Sequence, residues 1–156
     1  MRKERANENK DELWLSLRRE DAPPEFLREN SKSEIWFIRS AIARNKNTPR
    51  EILEILSFDP NATVRWQVAG NASTPKEVLT RLASDQDWDV RYSAAGNASA
   101  PGVMLMALAK DEKILVQFAV VANPSAPIEV LELLKGSTNT NLSKLAEARL
   151  AELNRK

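Results

Sequence analysis

Residues 64–89 read VRWQVAGNASTPKEVLTRLASDQDWD, and the pattern returns 26 positions further on and 26 positions back. Residues 90–115 open VRYSAAGNASAP, residues 116–141 open VQFAVVANPSAP, and residues 38–63 open IRSAIARNKNTP. The four copies align without a gap. A fixed period of this length marks a chain built from one supersecondary unit, which buries its apolar face only by stacking on its neighbours. Val64 and Val68 are four apart and share one helical face. Val78, Leu79 and Leu82 form a second helical stripe, with counterparts Ile52, Leu53 and Leu56, then Met104, Leu105 and Leu108, then Val130, Leu131 and Leu134. The unit is therefore a pair of short helices. Helices of about two to three turns are unstable in isolation, so stability must come from the stack.

The turns between helices have their own signals. Asp59 with Pro60 reads as the N-cap and first turn of the first helix. Asn71 stands at that helix's end, as do Asn45, Asn97 and Asn123 in the other copies. Asparagine tolerates the left-handed conformation found just past a C-cap. Thr74-Pro75-Lys76-Glu77 and Thr48-Pro49-Arg50-Glu51 read as capping boxes, with threonine as N-cap and proline at the first helical position. Ala100 and Ala126 replace that threonine in the last two copies, which predicts weaker helix starts there.

Outside the four copies the pattern degrades. APPEFL at 22–27 aligns with TPREIL at 48–53, but Glu12, Ser16 and Asn30 stand where the internal copies carry aliphatic residues. Residues 12–37 are therefore read as a polar-faced capping repeat, with Trp14, Leu17, Phe26 and Leu27 turned inward. Residues 1–11 read as a flexible polar lead. After the break GSTNTN at 136–141, Leu142, Leu145, Leu150 and Leu153 sit in a helix-forming background, so 142–156 is expected to be a C-terminal capping helix. The expectation is one all-α domain: two end caps around four 26-residue repeats over 38–141.

Composition narrows the function. The 156 residues carry a net charge of +1, which gives no overall pull toward nucleic acid or an acidic membrane. There is no cysteine and no histidine. Disulfides, thiolate metal sites, Ser/His/Asp catalysis and Cys/His catalysis are thereby excluded. The polar first residues lack an apolar signal core, and no apolar run reaches the ~20 residues of a membrane span. A cytoplasmic location is expected. The sequons at Asn61, Asn71 and Asn97 are read as by-products of the turn chemistry.

The pattern V-R-x-x-V-A-x-N-x-x-T-P-x-x-V-L-x-x-L-A-x-D resembles the leucine-rich repeat variant family, strongly over 38–141 and weakly over 12–37. The resemblance implies a right-handed superhelical solenoid, related to HEAT-like arrays, in which α-helices alternate with short 3₁₀ or α helices. Some members hold an iron–sulfur centre on a cysteine cluster. This chain has no cysteine, so no cofactor or metal is carried over.

Three sets of residues are candidates for function. Arg39, Arg65 and Arg91, with Gln117 at the fourth step, form a ladder that reads either as a phosphate or carboxylate track or as structural pairs with Asp59, Asp85 and Asp111. Trp66, Tyr92 and Phe118 form an aromatic stripe, with Trp14 at the matching place in the cap and Ser40 interrupting. It reads either as a binding groove beside Gly70 and Gly96 or as packing between repeats. In the last two second helices, Gly102, Val103, Met106, Ala107, Ile128 and Leu133 replace polar residues. That patch is either covered by the C-terminal helix or free for a partner or self-association. Trp66, Trp88, Asp87 and Asp89 superficially match the aromatic and acidic mix of DNA-repair glycosylases on HEAT-like repeats. Taken together, the expectation is a non-enzymatic scaffold that binds a protein or peptide segment, with nucleic-acid binding as the alternative.

Overall fold

Every internal repeat becomes two helices at the positions the apolar stripes mark. The computed structural model describes residues 15–17 and 22–155. Between Pro24 and Leu153 it places α1 (Pro24–Asn30), α2 (Trp36–Arg44), α3 (Arg50–Leu56), α4 (Ala62–Gly70), α5 (Lys76–Leu82), α6 (Trp88–Gly96), α7 (Gly102–Leu108), α8 (Ile114–Ala122), α9 (Ile128–Lys135) and α10 (Thr140–Leu153). Residues 15–17 are also helical, and the described residues contain no strand. Both helices of each repeat are α-helices; α2, α4, α6 and α8 have 9 residues, and α3, α5 and α7 have 7.

The even-numbered helices pack directly on one another, and each of α3, α5, α7 and α9 bridges the two even-numbered helices flanking it. The result is a two-layer stack in which the even layer is the tighter one. Ile38, Val64, Val90, Val116 and Leu142, at equivalent positions of that layer, are fully buried. Leu53, Leu79, Leu105 and Leu131 bury the facing stripe of the odd layer. At about 1.5–3 kcal/mol per buried side chain, this shared strip is the main source of stability.

The ends follow the same register. Leu17 and Leu27 are fully buried, and Phe26 packs partly buried against the core. Trp14 lies outside the described residues. At the other end, α10 starts 26 residues after α8 and takes the place of a first helix lengthened to 14 residues. It begins at Thr140, before the expected residue 142, because the Asn139 side chain accepts from the Leu142 N–H at 3.0 Å and caps it. Leu142, Ala146 and Leu150 are its buried stripe.

The turn chemistry differs from expectation at three points. Asp59 is not a helix cap: Asn61 caps α4, accepting from the Thr63 N–H at 2.8 Å, and Asp87 caps α6 in the same way. Asp59 instead accepts the Asn61 N–H at 2.9 Å through Oδ1 and presents both of its oxygens to an arginine. Thr48 and Thr74 do not cap either. Pro49 and Pro75 occupy the N-cap positions with extended backbone, so the helix starts one residue later than a capping box requires. The Thr74 hydroxyl turns back and donates to the Val68 carbonyl at 2.6 Å, and Thr48 donates to the Ile42 carbonyl at 2.5 Å. Each adds a second donor to a carbonyl that already accepts the N–H of Asn71 or Asn45 at the end of the preceding helix.

The third difference concerns the asparagines. Asn71 has φ −74° and ψ 126°, ordinary extended backbone, and among the described residues no non-glycine has positive φ. Asparagine is needed for its side chain. Asn71 Nδ2 donates to the Ala43 carbonyl at 2.7 Å and the Asn45 carbonyl at 2.8 Å, while Oδ1 accepts the Ser73 N–H at 2.9 Å. Asn97 and Asn123 repeat all three bonds one and two steps on, and Asn45 donates to the Leu17 carbonyl at 2.7 Å. Asn45, Asn71, Asn97 and Asn123 are all buried, which accounts for the sequons at Asn71 and Asn97 without a sugar.

Candidate binding face

The arginine ladder is a seam between repeats. Arg39 grips Asp59 through Nε (2.5 Å) and Nη2 (2.9 Å), Arg65 grips Asp85 (2.7 and 2.9 Å), and Arg91 grips Asp111 (2.6 and 3.0 Å). The remaining nitrogen, Nη1, donates to the backbone carbonyls of Ser33, Asp59 and Asp85 respectively. Each guanidinium therefore ties a carbonyl at its own junction to a carboxylate 20 residues on. Bidentate pairing of this kind is strong and directional. The hydrogen bond to its aspartate is the largest cause that raises each arginine further above its ordinary value. At the last step Gln117 keeps only the backbone half, donating to the Asp111 carbonyl at 2.7 Å, and Ser137 stands where the earlier copies have aspartate. The three arginines are neutralised in place, so the ladder offers no run of free positive charge.

The aromatic stripe divides. Trp66 is 40% exposed and Tyr92 is 44% exposed, on α4 and α6 of the tighter layer. Phe118 is partly buried and packs against the core, so it does not extend the exposed line. Ser40, at the equivalent place on α2, is buried. The stripe misses one ring: Trp36 is 45% exposed at the start of α2, stacked edge-on against Phe37 with centroids 6.1 Å apart. Its position is equivalent to Ala62, which lines a groove with Trp66, and that equivalence was available in the register.

Three shallow grooves run along this face. One of about 370 Å³ is lined by Ala62, Thr63, Trp66, Asp87, Asp89 and Tyr92. A second, of about 320 Å³, lies on the other side of Tyr92 along Gly70, Gly96 and Ala119, and a third, of about 270 Å³, joins Arg44, Trp66, Gln67 and Gly70. Trp66, Gly70 and Tyr92 are shared between them, so the grooves form one strip. A side chain at Gly70 would press on Ser93 Oγ, 3.0 Å from an added Cβ. At Gly96 an added Cβ would meet nothing within 4 Å, so packing does not demand that glycine. Its lack of a side chain leaves the strip open beside Tyr92.

The apolar patch on the odd layer is not covered by α10. Val103 is 84% exposed, Ile128 53% and Leu133 41%. The C-terminal helix continues the even layer, packing on α8 and α9, and does not cross to the outer face of α7. Met106 is half-buried, and Ala107 is exposed. Gly102 has a packing reason of its own, since an added Cβ would lie 2.8 Å from Pro127 Cγ of the next repeat.

Of the glycosylase-like set, Trp66, Asp87 and Asp89 share the first groove, whereas Trp88 packs partly buried against the core. Among the described residues, no group of three or more acidic side chains is placed to hold a metal ion, and no helix is long and apolar enough to cross a membrane.

No protein-family model matches the chain, and no curated protein matches it. Among solved structures it is similar to a leucine-rich repeat variant with a novel repetitive protein structural motif, with a TM-score of 0.67 and 24% sequence identity over 84% of this chain. The chain spans about half (52%) of that structure's length. At this identity the likeness speaks for the fold, and it agrees with the 26-residue register and the all-α stack: the chain is a solenoid with the leucine-rich repeat variant architecture.

Proposed function

We propose that the chain is a non-enzymatic scaffold that holds a segment of another protein along the exposed face of its even-numbered helices. The observation that carries this reading is the exposure of Trp66 and Tyr92 on consecutive stacked helices, with an open groove between them. Large rings on a rigid support lose little conformational freedom on binding and are favoured anchors at interfaces. A stack of repeats presents such anchors at regular intervals along an extended segment.

Nucleic acid fits this face less well. Arg39, Arg65 and Arg91 are held by carboxylates, and the groove beside Trp66 is itself lined by Asp87 and Asp89, which repel phosphate.

Selection of a displayed random-peptide library against the full chain tests the proposal. Enriched peptides are expected to bind the parent protein and to weaken by roughly tenfold or more, about 1.4 kcal/mol, on the Trp66→Ala/Tyr92→Ala double variant. Both rings are exposed, Trp66 to 40% and Tyr92 to 44%, so that variant should lose only about 1 kcal/mol of stability per site. Enriched peptides that bind the double variant equally well, or no enrichment at all, would sink the proposal. Salt-sensitive binding of single- or double-stranded DNA at low ionic strength would favour the nucleic-acid alternative.

A further inference from the structure

We infer that the groove between Trp66 and Tyr92 is a site for one basic side chain, an arginine or a lysine, of the bound segment. This rests on the reading of the face as a peptide-binding surface and names the chemistry that the surface selects. The groove, about 370 Å³, has two aromatic walls and two carboxylates, Asp87 and Asp89, with only the small Ala62 and Thr63 besides. Aromatic faces attract cations through their quadrupole, and the attraction grows when carboxylates share the site.

Both carboxylates are available. Asp87 Oδ1 accepts the Asp89 N–H at 2.9 Å, and among the described residues neither aspartate is held in an ion pair. Arg65, a neighbouring cation, is locked in both Nε and Nη2 on Asp85. The Asp87 charge acts on Arg65 from a distance, but no cation among the described residues is paired directly with either carboxylate of the groove.

The repeat supplies an internal control. The positions equivalent to Asp87 and Asp89 hold Ile35 and Phe37, Asn61 and Thr63, Lys113 and Leu115, and Asn139 and Asn141. Among the described residues, acid at these positions occurs at this step alone. A helix start favours acid through its dipole but does not require it, because Asn61 makes the same cap on α4 without a charge. The exposed rings also meet at this step alone, since Ser40 and Phe118 do not continue the line. Two departures from the repeat, one aromatic and one acidic, coincide in a single groove. Lining of this kind suits a guanidinium or ammonium head with its apolar stem along the rings.

The test is a titration of the full chain with three short capped peptides, followed by two-dimensional NMR of the Trp66 indole and the Tyr92 ring. The peptides are acetyl-Gly-Arg-Gly-amide, its lysine counterpart and its citrulline counterpart, which keeps the shape of arginine without the charge. The arginine and lysine peptides are expected to shift both signals saturably at millimolar concentration, with the citrulline peptide weaker by roughly tenfold. The Asp87→Asn/Asp89→Asn variant keeps a capping side chain at 87 and should lose that preference. Equal binding of the citrulline peptide, a preference that survives in the double variant, or no saturable shift with any peptide would overturn the inference. The library selection separates this failure from that of the scaffold reading. Selected peptides that need Trp66 and Tyr92 but contain no basic residue would leave the scaffold standing and remove the cation site.

Discussion

The inner seam and the outer face of the same two helices, α4 and α6, reverse the usual distribution of chemistry. Inward lie Arg65, Asn71 and Asn97, polar and buried. Outward lie Trp66 and Tyr92, aromatic and exposed. The apolar strip of valines and leucines drives the stacking, but such contacts are non-directional and would tolerate a slipped register. Hydrogen bonds from Asn71, Asn97 and Asn123 to carbonyls 26 and 28 residues back, and ion pairs 20 residues forward, hold at one register only. The copies agree with this division of labour. Asparagine is the same in all four repeats and arginine in three, whereas the position after the arginine runs Ser40, Trp66, Tyr92, Phe118. The seam is what repetition preserves, and the face is where the copies differ.

The sharpest way to break the comparison is to cut the seam at its centre. Arg65→Ala leaves the Asp85 carboxylate, with a side chain 9% exposed, without its partner. Removing one member of a buried pair costs about 3–5 kcal/mol. The chain also contains the remedy, because its last step replaces both members at once with Gln117 and Ser137. Arg65→Gln combined with Asp85→Ser should therefore recover more than half of the loss in urea denaturation. If the double variant is as unstable as Arg65→Ala, the cost does not come from an orphaned charge.

A smaller loss is expected from Asn97→Ala. The Ala69 and Asn71 carbonyls and the Ser99 N–H would each lose a partner in a buried seam. Partial access of water at the seam's edge should keep the cost to about 2–3 kcal/mol. A change under about 0.5 kcal/mol would mean the ladder follows from the stack and does not hold it. Asn61 provides the contrast: it caps a helix at the surface, so Asn61→Ala should cost about 1 kcal/mol.

The fold was legible in the sequence because a gapless period is visible in the order of the residues alone. Helix positions followed from Val64, Val68, Val78, Leu79 and Leu82. What each turn residue does was not legible from local rules. Asn71, Thr74 and Asp59 all suit the caps that local propensity assigns them, yet each is used for something else. Thr74 serves a carbonyl six residues back and Asn71 serves carbonyls in the neighbouring repeat, which no local pattern displays, whereas the pairing of Asp59 with Arg39 was readable from the repeat spacing. The aromatic face was half legible. Phe118 shares its register position with Trp66 and Tyr92, but whether a ring lies out or in depends on what the next repeat stacks against it. Trp36 was missed because the stripe followed one register position, and its ring belongs to a different one.

The mildest perturbation expected to separate seam from face is acid. Burial pushes the Asp85 carboxyl up and is the largest single effect on it. It is outweighed by the Arg65 hydrogen bonds, the Asp87 N–H and the charges of Arg65 and Arg91 together, so the carboxyl lies below its ordinary 3.8. Asp111 is lowered from the same value, with burial again opposed by Arg91, the Lys113 N–H and the charge of Lys113. A carboxyl that is more acidic in the folded chain contributes stability at pH above its unfolded value. That contribution is lost as pH falls below 3.8 and through the folded value, because the folded state must then take up the proton that the unfolded chain already holds. Urea midpoints measured from about pH 6 to about pH 2 should therefore fall most steeply below about pH 4. The Arg65→Gln/Asp85→Ser variant removes one of the two carboxyls and should show a shallower acid limb. The Trp66→Ala/Tyr92→Ala variant leaves both pairs intact and should run parallel to the parent. Identical acid limbs in all three proteins would locate the acid sensitivity outside the seam, and the polar ladders would then be passengers of the apolar stack.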